Sequence, residues 1–255
     1  MKNKETMIGI MGAMPEEIEG IAALLKDKRE ETHGMRTYYS GSINGTSAVV
    51  VFSRWGKVAA ATTVSTLMHK YNITQLIFTG VAGAISAELN IGDIVIGKRL
   101  IQHDMDGRPL MKQFEIPLLG KTYFECEKNE LNQALKAAKE LTETKKINAI
   151  FSEETRTAFK ITQPRVFTGD IASGDQFFSD NTQKENLIKA LPGVLCVEME
   201  GAAVAQVCYE YSVPFSIIRV ISDTADDRSH VDFPEFIKSV SSKYTVELIK
   251  NIFVQ

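Results

Sequence analysis

Across residues 194–208 every side chain is apolar or small except Glu198, Glu200 and Gln206. Any fold of this chain must carry two carboxylates into its interior or to its edge, where an ionised acid is costly unless something pairs with it. Two readings follow: a strand end whose acids emerge into solvent or meet an Arg, or a site that uses them.

The surrounding chain alternates strand-like and helix-like segments. Residues 7–13 read as a buried strand, and Pro15 with Glu16, Glu17 and Glu19 reads as the start of a helix burying Ile18, Ile21, Ala22 and Leu25. Segments 37–40 and 48–53 are strand-like around the turn Asn44-Gly45, and 57–68 is a helix of small residues. A strand over 75–79 is expected to run into a glycine-containing turn at Gly80 to Gly83, with another strand over 91–97. Residues 107–122 carry two Pro and two Gly and form a long excursion. Beyond it come a helix over 127–141, strands over 149–151 and 166–172, a helix over 183–191, a strand over 213–221 and a closing helix over 233–252. This succession is that of an α/β fold, expected as a single domain over 1–255.

Charge and cysteine content narrow the partners. Lys and Arg number 29 against 32 acids, a net charge of -3, so no basic footprint points to nucleic acid or to an anionic membrane. No apolar run approaches the ~18 residues of a membrane span, and the short apolar run at the N-terminus meets Pro15-Glu16-Glu17, which suits a first strand rather than a signal peptide. Cys126, Cys196 and Cys208 are odd in number and form no C-x-x-C, so reduced buried thiols and a cytoplasmic home are expected. A small-molecule ligand is the remaining class.

In an α/β sheet ligands bind at strand ends, where the loops lead into helices. Acids fall at four such ends: Glu16 and Glu17, Asp175 within Ser173-Gly-Asp-Gln-Phe177-Phe178, Glu198 and Glu200, and Asp223 after Ser222. Glu17 stands at a helix start, where the positive dipole end is expected to keep it ionised and able to act as a base on water. Asp223 ends an apolar strand, so burial is expected to favour its protonated, acid form; the structural alternative is helix capping within residues 222–227. Gly9-x-x-Gly12 matches only part of a dinucleotide fingerprint and is followed by acids that oppose a pyrophosphate. His103-Asp104-x-Asp106 and Asp223-x-x-Asp226-Asp227 lack any known metal-ligand spacing, and Ser173-Gly174 is no nucleophile elbow.

Taken together, residues 9–17 (Gly-Ile-Met-Gly-Ala-Met-Pro-Glu-Glu), 56–60 (Gly-Lys-Val-Ala-Ala), 79–83 (Thr-Gly-Val-Ala-Gly), 91–95 (Ile-Gly-Asp-Ile-Val), 173–177 (Ser-Gly-Asp-Gln-Phe), 197–200 (Val-Glu-Met-Glu) and 219–223 (Arg-Val-Ile-Ser-Asp) are specific in order and spacing. In these the chain resembles the nucleoside phosphorylase and nucleosidase superfamily, most closely the 5'-methylthioadenosine/S-adenosylhomocysteine nucleosidases, from residue 8 to about residue 236. The resemblance implies a three-layer α/β fold with a central mixed β-sheet flanked by helices. It implies an N-glycosyl hydrolase working without metal or organic cofactor, in which Glu17 activates water and Asp223 protonates adenine N7. Met199 and Glu200 would contact the ribose, Phe177 would stack on adenine, and the backbone at Phe178 would read the base edge. Gly83 would line the sugar site beside Ser222, Arg219 would lie near the water, and Met14, Trp55 and Phe233 would form an apolar 5' pocket. It also implies a homodimer whose loop at 107–110 (Gly107, Arg108, Pro109, Leu110) reaches the partner's 5' pocket. Glu198 gains no such role and keeps the structural reading.

Three alternatives remain at this point: a phosphorylase of the same fold, a non-catalytic nucleoside-binding protein, and a dinucleotide-dependent oxidoreductase. Phosphorylases resembling this family place an Arg and a Ser where this chain has Phe78 and Val81, which favours water over phosphate.

Overall fold

Strands that read as continuous apolar runs are buried on both faces, and that property sets the layering. A computed structural model describes residues 6–225 and 229–254. In chain order the elements are β1 Met7–Gly12, α1 Pro15–Ala22, β2 Lys26–His33, β3 Arg36–Ile43, β4 Thr46–Phe52, α2 Lys57–Tyr71, β5 Gln75–Ala84, β6 Ile94–Gln102 and β7 Phe124–Glu125. There follow α3 Lys128–Leu141, α4 Thr144–Ile150, α5 Glu153–Ala158, β8 Val166–Ser173, α6 Asn181–Ala190, β9 Val194–Glu198, α7 Gly201–Glu210, β10 Phe215–Asp223, α8 Ser229–Phe236, a π-helical turn Ile237–Ser241, and α9 Ser242–Phe253.

The strands form one mixed sheet. β1 runs parallel between β4 and β5, and β4, β3 and β2 continue as an antiparallel meander to an edge. On the other side β5 pairs with both β10 and β9, and β10, β6, β8 and β9 complete a closed ring with it. β10 turns Ile217 and Ile221 to one face of the sheet and Ile218 and Val220 to the other. The first face is covered by α2 and α7, which pack on each other through small side chains; the second is covered by α1, α3 and α9. Each fully buried Ile or Leu in these layers contributes about 1.5–3 kcal/mol.

Four expectations need correction. β5 does not turn at Gly80: it continues as strand to Ala84, because its glycines supply room for side chains from neighbouring elements. Residues 149–151 are not a strand but the end of α4, where Ile147 and Phe151 bury one helical turn apart. Residues 91–93 turn before β6 begins at Ile94, since the Asp93 carboxylate accepts the Asn90 and Arg165 amides at 2.9 and 2.8 Å. The closing helix is interrupted by the π-helical turn, with Pro234 inside α8. Two strands were not anticipated: the two-residue β7 on β6, and β2, Lys-Asp-Lys-Arg-Glu-Glu-Thr-His, which is charged along most of its length and hangs on β3 at the sheet edge. The sequence-level cap for Asp223 includes Asp226 and Asp227, which lie outside the described residues.

Candidate active site

Glu17 is placed by a two-residue strand-to-helix connection, Ala13 and Met14. β1 ends at Gly12, Pro15 opens α1, and the Glu17 side chain folds back so that its Oε2 accepts the Ala13 and Met14 amides at 2.7 and 3.0 Å. Among the described residues both hydrogen bonds to this carboxylate fall on Oε2. Oε1 faces Gly80 of β5, where an added Cβ would come within 3.1 Å of it. Glu17 is 1% exposed, and burial pushes its pKa up to about 7, against the pull of Arg219 and the two amides. The expectation that the helix start simply keeps this acid ionised is therefore corrected: desolvation outweighs the dipole and leaves a carboxylate poised near neutrality.

The two acids of the 194–208 stretch have separate fates. Glu198, the last residue of β9, accepts the Arg219 guanidinium (Nη2 to Oε2, 2.7 Å) and the Gly201 amide (2.9 and 2.8 Å to its two oxygens), and the Ser173 hydroxyl bonds it as well. This acid meets an Arg and caps α7. Arg219, from the middle of β10, also donates Nη1 to the Phe78 carbonyl at 3.1 Å and lies over the Phe78 ring at 4.1 Å. Glu200 points elsewhere: its Oε1 accepts the Gly56 amide at 2.8 Å, and burial first, then the charge of Glu198, pushes its pKa up.

Asp223 closes β10. Its Oδ2 accepts the Ser222 hydroxyl at 2.7 Å and its Oδ1 accepts the Ala225 amide at 2.8 Å. Gly83 lies against it so closely that an added Cβ would stand 2.9 Å from Oδ1. β5 thus offers one glycine to Glu17 and another to Asp223.

The aromatic residues form a run across the opening. Phe177 packs edge-on against Phe233 at 5.6 Å, and Trp55, half exposed, also meets Phe233 edge-on at 6.1 Å. Phe178 is buried edge-on to His103 at 5.3 Å.

One cavity of about 630 Å³, counted to its open mouth, is lined by all of Glu17, Asp223, Gly83, Phe177, Phe178, Met199, Glu200, Ser222, Arg219, Met14, Trp55 and Phe233. It is also lined by Gly80, Val81, Gln176 and Glu198, which the sequence did not single out as ligand contacts. For Gly80 the available signal was a second glycine in an otherwise apolar strand. The two acids of the His103-Asp104-x-Asp106 run are in ion pairs, Asp104 with Lys57 at 2.6 Å and Asp106 with Arg108 at 2.5 Å. The cavity can hold a compact ligand with both apolar and polar parts: its lining combines aromatic rings with acids, and no cation is left without an acidic partner among its described lining residues.

The profile of the Phosphorylase superfamily matches residues 7–252. A 5'-methylthioadenosine/S-adenosylhomocysteine nucleosidase of Psychromonas ingrahamii is 33% identical over 252 residues, covering 96% of this chain and 99% of that protein. The structure of the corresponding nucleosidase from Colwellia psychrerythraea in complex with adenine superposes with a TM-score of 0.85 at 27% identity, covering 98% and 96% of the two chains. Futalosine hydrolase of Helicobacter pylori gives a TM-score of 0.82 at 29% identity, covering 97% of each chain. The three-layer arrangement of mixed sheet and helices is the fold these proteins share.

Proposed function

The chain belongs to the Phosphorylase superfamily and is an N-glycosyl hydrolase of the 5'-methylthioadenosine/S-adenosylhomocysteine nucleosidase type; we propose that it releases adenine from these two nucleosides, with Glu17 as the base and Asp223 as the acid. The observation that carries this reading is the placement of both carboxylates on one cavity, each against its own glycine of β5.

Cleavage of the N-glycosidic bond builds positive charge on the ribose and negative charge on the departing purine. Glu17 takes a proton from water as the water oxygen bonds C1'. The C1'–N9 bond breaks, its electron pair leaves with adenine, and Asp223 delivers a proton to N7. Ser222 holds Asp223 in place, and Glu200 accepts from the ribose hydroxyls alongside Met199. Phe177 stacks on the base, while Met14, Trp55 and Phe233 take the 5' thioether.

Water is favoured over phosphate by charge. The described lining residues include Glu17, Glu198, Glu200 and Asp223 against one cation, Arg219, which Glu198 engages at 2.7 Å. With that cation engaged by Glu198, an incoming phosphate dianion would find no free charge partner among these residues. We further propose one catalytic domain over 1–255 and a homodimer in which loop 107–110 reaches the partner's 5' pocket, a reading supported by the apolar, 90% exposed Leu110. Cys126, Cys196 and Cys208 are free thiols, which supports a reducing, cytoplasmic setting.

The test is adenine release from 5'-methylthioadenosine in phosphate-free buffer and again with added phosphate. Equal rates are expected. Strict dependence on phosphate would select the phosphorylase, and binding of the nucleoside without turnover would select the non-catalytic binder.

A further inference from the structure

Two loops that bring residues to the cavity, those after β4 and β8, are tied to each other and to the loop after β6 by a ring of polar contacts. Gly56 and Lys57 open α2 after the β4 loop that carries Trp55. The Lys57 ammonium reaches Asp104, just beyond β6, at 2.6 Å and Gln102 Oε1 at 3.1 Å. The second oxygen of Asp104 accepts the Asp175 amide at 2.9 Å, just beyond β8, and Asp175 Oδ1 accepts the Lys57 amide at 2.8 Å, closing the ring. Burial works against the Asp104 charge, yet the bonds from Lys57 and Asp175 hold its carboxyl below the ordinary range. The Lys57 and Asp104 side chains are only 17% and 23% exposed, so their pairing is better shielded than a surface ion pair.

The ring is built around a backbone that only glycine adopts easily. Gly56 has φ 90°, and an added Cβ would stand 3.0 Å from Asp175 Oδ1. That conformation aims the Gly56 amide at Glu200. One residue before Gly56 is Trp55, and two residues after Asp175 is Phe177, so the ring spaces the sugar-side acid, the aromatic wall and the mouth of the cavity from one another.

We infer that Lys57 is a positioning residue for the nucleosidase reaction, its ion pair with Asp104 holding the Trp55, Phe177 and Glu200 walls at their working separation. The inference rests on the nucleosidase reading above. Among the described residues Lys57 is not part of the cavity lining, and neither Glu17 nor Asp223 bonds to the ring. The groups it holds grip base and sugar in the ground state and the transition state alike, so its loss acts on binding more than on bond cleavage.

Steady-state adenine release by the full chain tests this. In Lys57→Met and Asp104→Asn, KM for 5'-methylthioadenosine is expected to rise about tenfold while kcat stays within about threefold of wild type. Lys57→Arg should recover most of the loss, and the double variant Lys57→Met/Asp104→Asn should be no worse than either single one. A folded Lys57→Met enzyme with wild-type KM, a fall in kcat at unchanged KM, additive losses in the double variant, or failure of both single variants to fold would each overturn the inference. A wild-type chain that releases no adenine would sink the nucleosidase reading with it; a working wild type matched by Lys57→Met sinks the ring alone.

Discussion

At the scale of single residues the site is governed by desolvation. Glu17 is held by two amides and a nearby guanidinium, all of which favour its charge, yet burial carries its pKa from an ordinary 4.5 to about 7. Because the folded pKa lies above the unfolded one, the contribution of this group to stability is fully present below pH 4.5 and is lost as pH rises through about 7. A shift of this size corresponds to about 3 kcal/mol. Glu17→Gln keeps the shape of the protonated acid, so its stability relative to wild type, from urea unfolding of the ligand-free protein, should improve by roughly that amount between pH 4 and pH 9. An equal difference at both pH values would contradict the buried-acid assignment. The same variant should lose about 10²- to 10⁴-fold in kcat, the usual contribution of a positioned base. Glu198 is a buried acid with a different use: bonded by Arg219, Ser173 and the start of α7, it is committed to structure. Nothing in the sequence of the 194–208 stretch separates it from Glu200, since which acid meets the Arg depends on the register of β9 against its neighbours.

At the scale of elements, β5 is the strand on which the site is assembled. Its glycines lie where Glu17 from α1 and Asp223 from β10 approach, so a methyl group there displaces a carboxylate of the proposed acid–base pair. Gly83→Ala is expected to lower kcat/KM at least about tenfold, roughly 1.4 kcal/mol of transition-state stabilisation, with the fold retained. Gly193→Ala, where an added Cβ meets nothing within 4 Å, serves as the control and should leave kcat/KM unchanged. Equal activity of both variants would contradict the role given to β5. The long apolar strands and the helices with one apolar face were legible in the sequence, because burial leaves a period. Three features left no such trace. β2 owes its strand conformation to hydrogen bonds from β3 rather than to its own charged side chains. The apolar triplet 149–151 is too short to distinguish a strand from the end of α4. Gly80 and Gly83 look like turn residues, yet they serve close approach within a strand.

At the scale of the whole molecule, the closed ring of β5, β10, β6, β8 and β9 brings the far ends of the chain together. β1 pairs along β5 on one side and β10 along it on the other, so Glu17 from α1 and Asp223 from the end of β10 share one cavity. That convergence was visible in the sequence only through the order and spacing of the motifs, since no local pattern reports which strands pair. The central claim is that Asp223 supplies the proton that lets adenine leave. Asp223→Asn keeps the side chain's size and removes its acid. The direct measurement is adenine release from 5'-methylthioadenosine by this variant, set beside calorimetric binding of the same nucleoside. Turnover should be abolished while binding stays detectable; turnover near the wild-type rate would contradict the assignment.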